Sequence, residues 1–268
     1  EPRYNVTKDL QLYAGVSGSS ISFTNRAAME LDVYGGIRPT FGALAFDFGI
    51  WGYLYPGGQC IESFGGPSSA PAVCPAGSNS VLPSYNGMKK DVSFYEGYGK
   101  VNWTVNDMFA VGVNEFYTPS FLNSGAWGNY TSVTGKFTAP SSIFGSSDLG
   151  MYVSGEFGRQ WLGTSDSFYG TNIASPTGGG PFPNGIKYKD YNTWNLGVGF
   201  TYKVFALDLR YTDTDLSKAD CNAFTSDFTA GFSGDYSPIN PYGYGSKWCG
   251  SRFTAKLSAD VTLQNNIK

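Results

Sequence analysis

The feature that most constrains this chain is a two-residue alternation of apolar and polar side chains that recurs in run after run. Successive residues of a β-strand point to opposite faces, so each such run carries one apolar face and one polar face. In the run Trp194 to Lys203, the residues Trp194, Leu196, Val198, Phe200 and Tyr202 share one face. Asn195, Gly197, Gly199, Thr201 and Lys203 share the other. After a turn near Val204, Phe205, Leu207, Leu209 and Tyr211 alternate with Asp208, Arg210 and Thr212, which predicts a hairpin. Tyr95 to Val105, Leu149 to Phe157, Met29 to Arg38, Leu44 to Trp51 and Phe253 to Leu263 repeat the pattern. Leu10 to Val16 and Val133 to Phe137 are shorter runs, and Phe109 to Val113 is a weaker one that Glu115 spoils. The expectation is an all-β chain of about ten strands, with twelve as the alternative, at a length that suits tilted membrane strands.

The links between runs carry a second signal. Arg38 to Thr40, Asn106-Asp107 and the turn near Val204 are short, whereas Pro56 to Asp91, Gly163 to Asp190 and Asp215 to Gly250 are long. Short and long links alternate along the chain, as they do when one end of an up-and-down barrel faces the periplasm and the other the exterior. Rings supply a third signal. Trp103 and Phe109 flank one short link, Tyr202 and Phe205 flank another, Phe137 precedes the moderate link Pro140 to Asp148, and Tyr95, Phe157, Trp194 and Tyr211 stand at the far strand ends. Amphipathic rings collect at both membrane–water interfaces, so these nine are candidate girdle residues. A soluble β-sandwich also alternates, but it explains neither the phase of the links nor the paired rings.

Composition agrees with a membrane barrel. Charged residues make up 15% of the chain, against ~25% in ordinary soluble domains. Aromatics reach 17% and mean hydropathy is −0.22. Strands apolar on alternate positions hide a membrane span from average hydropathy. The longest apolar tract, Phe41 to Tyr55, is interrupted by Asp47 and is too short for a membrane helix. A net charge of −3 argues against a nucleic-acid partner. The chain has no histidine, which removes serine–histidine, cysteine–histidine and histidine–metal catalysis, and no enzyme is expected. Nor is any cofactor or metal expected. Asp213, Asp215 and Asp220 lack the EF-hand spacing and read as a solvated acidic turn.

With the apolar residues facing lipid, their alternates line the lumen. The charged ones are Glu30, Asp32, Arg38, Asp47, Glu96, Lys100, Lys136, Glu156, Lys203, Asp208, Arg210, Lys256 and Asp260. Acids and bases nearly balance, which fits either a weakly selective polar channel or charges that pair inside a narrow barrel. Arginine at Val198 should therefore be costly, and arginine at Gly199 milder unless the lumen is packed there. The four cysteines form no C-x-x-C pair, and an even count in a loop-rich chain favours disulfides. Cys60 and Cys74 share one long link, and Cys221 and Cys249 share another. Of three possible connectivities, pairing within each link is expected, because the hairpin beneath holds its ends together.

Several tracts resemble the TorF family of alphaproteobacterial porins. They are NDMFAVGVNEFYTPSFLNSGAWGNYTSVTGKFTAPSS from Asn106, MYVSGEFGRQWLG from Met151, YNTWNLGVGFTYKVFALDLRYTDTDLSKADCNAFTSD from Tyr191 and KWCGSRFTAKLSADVTL from Lys247. The resemblance runs from about Glu30 onward and is weakest in the two longest links before Asp190. It implies an outer-membrane barrel and brings no catalytic residues. Many such barrels end on an aromatic residue, whereas this chain ends Gln264-Asn265-Asn266-Ile267-Lys268.

The combined expectation is a single barrel domain, residues 1–268, in the outer membrane of a Gram-negative bacterium with both termini periplasmic. Its partners would be outer-membrane lipid, lipopolysaccharide and small solutes or ions. The expected function is porin-type passive diffusion. The alternative is a closed structural or surface-binding barrel that acts through its loops.

Overall fold

The structure is a computed structural model, described over residues 1–61, 74, 86–145 and 148–261. The alternating runs form β1 (Arg3–Thr7), β2 (Leu10–Ser19), β3 (Glu30–Phe41), β4 (Leu44–Leu54), β5 (Phe94–Thr104) and β6 (Phe109–Thr118). Next come β7 (Gly128–Thr138), β8 (Leu149–Leu162), β9 (Tyr191–Tyr202) and β10 (Phe205–Thr214). A short helix α1 (Lys218–Thr225) and a two-stranded ribbon of β11 (Gly231–Phe232) and β12 (Tyr244–Gly245) precede β13 (Arg252–Ala259). Eleven strands make one antiparallel sheet in the order β1 to β10 and then β13. The described residues contain no helix long and apolar enough to cross a membrane.

The predicted hairpin is present in the expected register: Phe205 opposes Tyr202 and Leu209 opposes Val198. Four details differ from expectation. The short link expected at Arg38 to Thr40 lies within β3, and the turn falls at Gly42-Ala43, where Gly42 takes a positive φ of 61°. β1 was missed because five residues are too few to show a period, and it pairs with β2 through a tight turn at Lys8-Asp9. Lys203 leaves the strand and sits exposed in the β9–β10 turn at φ 52°. Asp260 likewise lies beyond the end of β13, its N–H donating to the Val204 carbonyl at 2.9 Å. Leu263 and the last five residues fall outside the described residues.

The sheet is strongly curled. On its concave face the Tyr13 hydroxyl of β2 meets that of Tyr98 on β5, three strands away. Side chains standing normal to a flat sheet, with strands ~4.8 Å apart, would not converge over that span. The convex face carries the apolar alternates, and they are exposed: Val16 is 64% exposed, Ile50 63% and Leu196 61%. A sandwich would bury that face under a second sheet, so among the described residues the sandwich alternative fails.

The links at Lys8-Asp9, Gly42-Ala43, 105–108, 139–148 and Lys203-Val204, four of them of two to four residues, fall at one end. The links 20–29, 55–93, 119–127, 163–190 and 215–251 gather at the other. There Thr24 Oγ1 donates to the Thr225 carbonyl at 3.2 Å, which joins the first of these loops to the last. The curl therefore brings the two ends of the sheet together at its loop end. Among the described residues no hydrogen-bonded ladder joins β1 to β13.

Candidate functional site: the concave face and its loop cap

Large side chains on the concave face lie over glycines of the neighbouring strand. Tyr34 faces Gly15, Tyr13 faces Gly36, Tyr98 faces Gly49 and Tyr152 faces Gly199, each in directly opposed register. A Cβ at any of these four glycines would come within 2.6 Å of the paired tyrosine. Arg210 lies over Gly197 in the same way, 2.9 Å from where a Cβ would sit. The rings thus lean along the wall, and the joint abundance of glycine and tyrosine in the sequence has a steric reason.

Hydroxyls on the same face reach the predicted carboxylates. Tyr55 donates to Glu30 at 2.7 Å, Tyr53 to Glu96 at 3.2 Å, Tyr130 to Glu156 at 3.0 Å and Tyr152 to Asp208 at 2.8 Å. Ser17 donates to Asp32 at 2.8 Å, and Tyr13 donates to Asp47. Two ion pairs join predicted residues, Arg38 with Asp47 and Arg210 with Asp208, each at 3.0 Å. Lys100 Nζ lies 4.7 Å from the Tyr98 ring centroid and 5.0 Å from that of Phe116. Lys136 Nζ lies 4.5 Å from the ring of Tyr152. Lys256 is exposed on β13, opposite Asp208 in register.

The structure therefore places Glu30, Asp32, Arg38, Asp47, Glu96, Lys100, Lys136, Glu156, Asp208, Arg210 and Lys256 on the polar face, as alternation predicted. Acid–base pairing accounts for only two of those acids, and hydroxyl donors hold the rest. Sequence reasoning chose the charges and passed over Tyr13, Tyr53, Tyr130 and Tyr152. Their signal was their phase: each falls on a polar-face position of its run. Lys203 lines the turn end instead. It borders an open cavity of about 920 Å³ with Asn106, Asp107, Thr138, Gly150 and Thr201.

At the opposite end the loops form a cap. Lys89 pairs with Asp166 and donates to the Asn123 carbonyl at 2.7 Å. Ser226 Oγ donates to the Gly87 carbonyl at 2.7 Å, and Asn86 donates to that of Asn222 at 2.9 Å. Phe224 of α1 packs on Phe121, Tyr188 and Tyr191. Ala126, Leu162, Ile186, Tyr188 and Ala223 form the buried core of this cap. Burial in it pushes the Tyr188 phenol well above its ordinary range, and burial does the same to Tyr169. The disulfides pair as expected. Cys60–Cys74 spans 14 residues and Cys221–Cys249 spans 28, with Cα separations of 5.5 and 5.9 Å.

All nine predicted girdle residues are on the convex face. The rings of Phe109 and Phe137 meet at 5.1 Å, tilted by 47°, near the turn end, where Tyr202 opposes Phe205. Phe157 opposes Trp194 toward the loop end. Tyr117, Trp127 and Trp161 also lie outward at the loop end and were missed. Glu115 was taken to end its run, but the alternation continues through it to Tyr117.

A family described as "Bacterial protein of unknown function (Gcw_chp)" matches residues 1–64, less than half of the chain. No curated protein matches. Solved structures similar to this chain include in-vitro folded OmpT, an outer membrane protein of Vibrio cholerae. That match has 12% identity and a TM-score of 0.41, and covers 95% of this chain and 61% of that one. A loop L8 deletion mutant of OmpT matches at 14% identity and a TM-score of 0.39, covering 80% of this chain and 55% of that one. This chain thus spans only slightly more than half the length of the structures it matches.

Proposed function

We propose that the chain is an outer-membrane β-barrel porin that admits small polar solutes or ions, in keeping with its resemblance to the TorF family. One observation carries this reading. The same strands present an exposed apolar convex face ringed by aromatics at both ends and a concave face lined with hydroxyls, carboxylates and cations. In water, so large an exposed apolar surface would drive association. In a bilayer it is the lipid-facing band. Hydrocarbon tolerates no unpaired strand edge, so β1 and β13 close the barrel against each other. The loop cap faces the exterior and the short turns face the periplasm. Because the tyrosines lean on glycines along the wall, the polar face remains available as a path. The open cavity at the turn end is its periplasmic mouth.

Planar-bilayer recording of the purified protein tests the proposal. Stable conductance steps are expected, with weak preference between cations and anions because acids and bases on the wall are nearly balanced. Silence across the accessible voltage range would reject a porin. It would favour the second reading, a closed barrel that works through its surface. That reading has its own support, since five loops are tied together over the concave face and Phe224 is packed among them.

A further inference from the structure

A groove of about 400 Å³ opens on the convex face at the loop end, bounded by Tyr117, Trp127, Asn129 and Trp161. Its volume is that of a small-ligand site. Tyr117 opposes Asn129 and Asn129 opposes Trp161, so three of the four form one row across β6, β7 and β8. Trp127 is held in place. Its carbonyl accepts the Gly163 N–H at 2.7 Å, and a Cβ at Gly163 would come within 2.6 Å of the indole. Asn129 is oriented as well, because its amide donates to Glu115, whose other oxygen accepts from Thr131. Cations sit at both sides: Lys187 Nζ is 5.6 Å from the Trp127 ring centroid and the Arg159 guanidinium is 5.7 Å from that of Trp161. Among the described residues the only side-chain bond of Arg159 goes from Nη1 to Asn192, at 3.1 Å.

We infer that this groove binds a sugar unit of an outer-leaflet glycolipid. Flat apolar rings match the C–H face of a pyranose. The planar polar groups of Asn129, Arg159 and Glu115 match its hydroxyls. Arg159 and Lys187 are offset by Glu115 and Asp190, so the charge suits a neutral sugar better than a bare phosphate. Two rows below the groove on the same face, past Glu115, Thr131 and Arg159, Val113, Val133 and Phe157 are exposed, at 49%, 55% and 53%. A ligand seated among the rings therefore has an acyl-binding surface below it, which selects a glycolipid over a free saccharide. The inference rests on the outer-membrane orientation proposed above.

The test uses the full chain in detergent micelles, titrated with rough-type lipopolysaccharide and, separately, with the core oligosaccharide released from it by mild acid. Binding is read by tryptophan fluorescence and by displacement of a labelled glycolipid. Replacing Trp127 and Trp161 together by alanine should weaken glycolipid binding by about tenfold or more. Gly163→Ala, which displaces the indole without removing it, should weaken it less. Trp103→Ala, at the turn end, should leave it unchanged. Heat-modified gel migration checks that each variant is folded. Unchanged binding in the double variant overturns the inference, as does an equal loss in Trp103→Ala. Oligosaccharide binding as tight as that of the glycolipid would also overturn it, in favour of a free-saccharide site. Membrane fractionation and conductance report on the porin reading separately. Lost porin activity with intact groove binding overturns that reading alone, and a chain absent from the outer-membrane fraction overturns both.

Discussion

At the scale of single residues the two faces of one strand answer differently to the same change. Val198 is a convex-face position, and arginine there should destabilise the folded protein by ~2–4 kcal/mol if it lies near the bilayer midplane. Its neighbour Gly199 is buried under Tyr152, whose ring atoms come within 2.0 Å of an added Cβ. The condition that would have made substitution at Gly199 mild is therefore not met. Even Gly199→Ala should cost ~1–3 kcal/mol, the usual penalty for overpacking. Urea titration of refolding in detergent measures both effects. Adding Tyr152→Ala to Gly199→Ala should recover most of the loss, and additive losses would show that the ring does not rest on the glycine.

At the scale of elements, α1 and its disulfide hold the cap. Ser217 caps the helix by accepting the Asp220 N–H at 3.0 Å, and Cys221 ties it to Cys249. In the chain-entropy model a closed loop of this size restricts the unfolded chain by ~3 kcal/mol or more. The ladders of the sheet do not depend on it, so reduction should loosen the cap and leave the strands intact. The expected readout is higher or noisier conductance after reduction, with unchanged far-ultraviolet circular dichroism. Unchanged conductance would show that the cap does not gate the path. High pH should act on the same element. Tyr188 is buried in the cap and Tyr169 is packed partly buried against it, both with raised phenol pKa values. A group whose folded pKa exceeds its unfolded value of about 10 stabilises fully below that pH and progressively less above it. Proteolysis of the cap loops should therefore accelerate between about pH 9 and about pH 11 while the strands stay protected. Equal rates at both values would place these phenols in contact with water.

At the scale of the whole molecule, closure is the open consequence of the fold. β1 and β13 are the sheet edges, and β13 is exposed along its whole length, Phe253 to 84% and Leu257 to 74%. An unpaired edge in hydrocarbon leaves backbone groups unsatisfied at several kcal/mol each. Cysteine at Tyr4, paired in turn with cysteine at Ala255, Leu257 or Ala259, should form an intramolecular disulfide in membranes for one of the three combinations. Crosslinking only between molecules would show instead that the edges pair with a second copy.

The strands and their facing were legible in the sequence because a period of two is a local property that neighbouring residues alone define. The in-loop disulfides followed from where the alternating runs stop, but the strand ends did not, since β6 and β8 run on past Val113 and Phe157 and β13 stops short of Leu263. β1 escaped because it is too short to have a period, and Lys203 because a turn residue continues its strand's phase. Which concave residues touch was not legible. Tyr13 is 85 residues from Tyr98 and Thr24 is 201 from Thr225, and no local pattern encodes contacts across a curled sheet. The same is true of the outer groove, whose Trp127 and Trp161 meet only through the register of β6, β7 and β8. The sequence by itself determined which way each side chain faces. The curl of the sheet decided what it meets there, because curvature is set by twist and packing summed over all the strands.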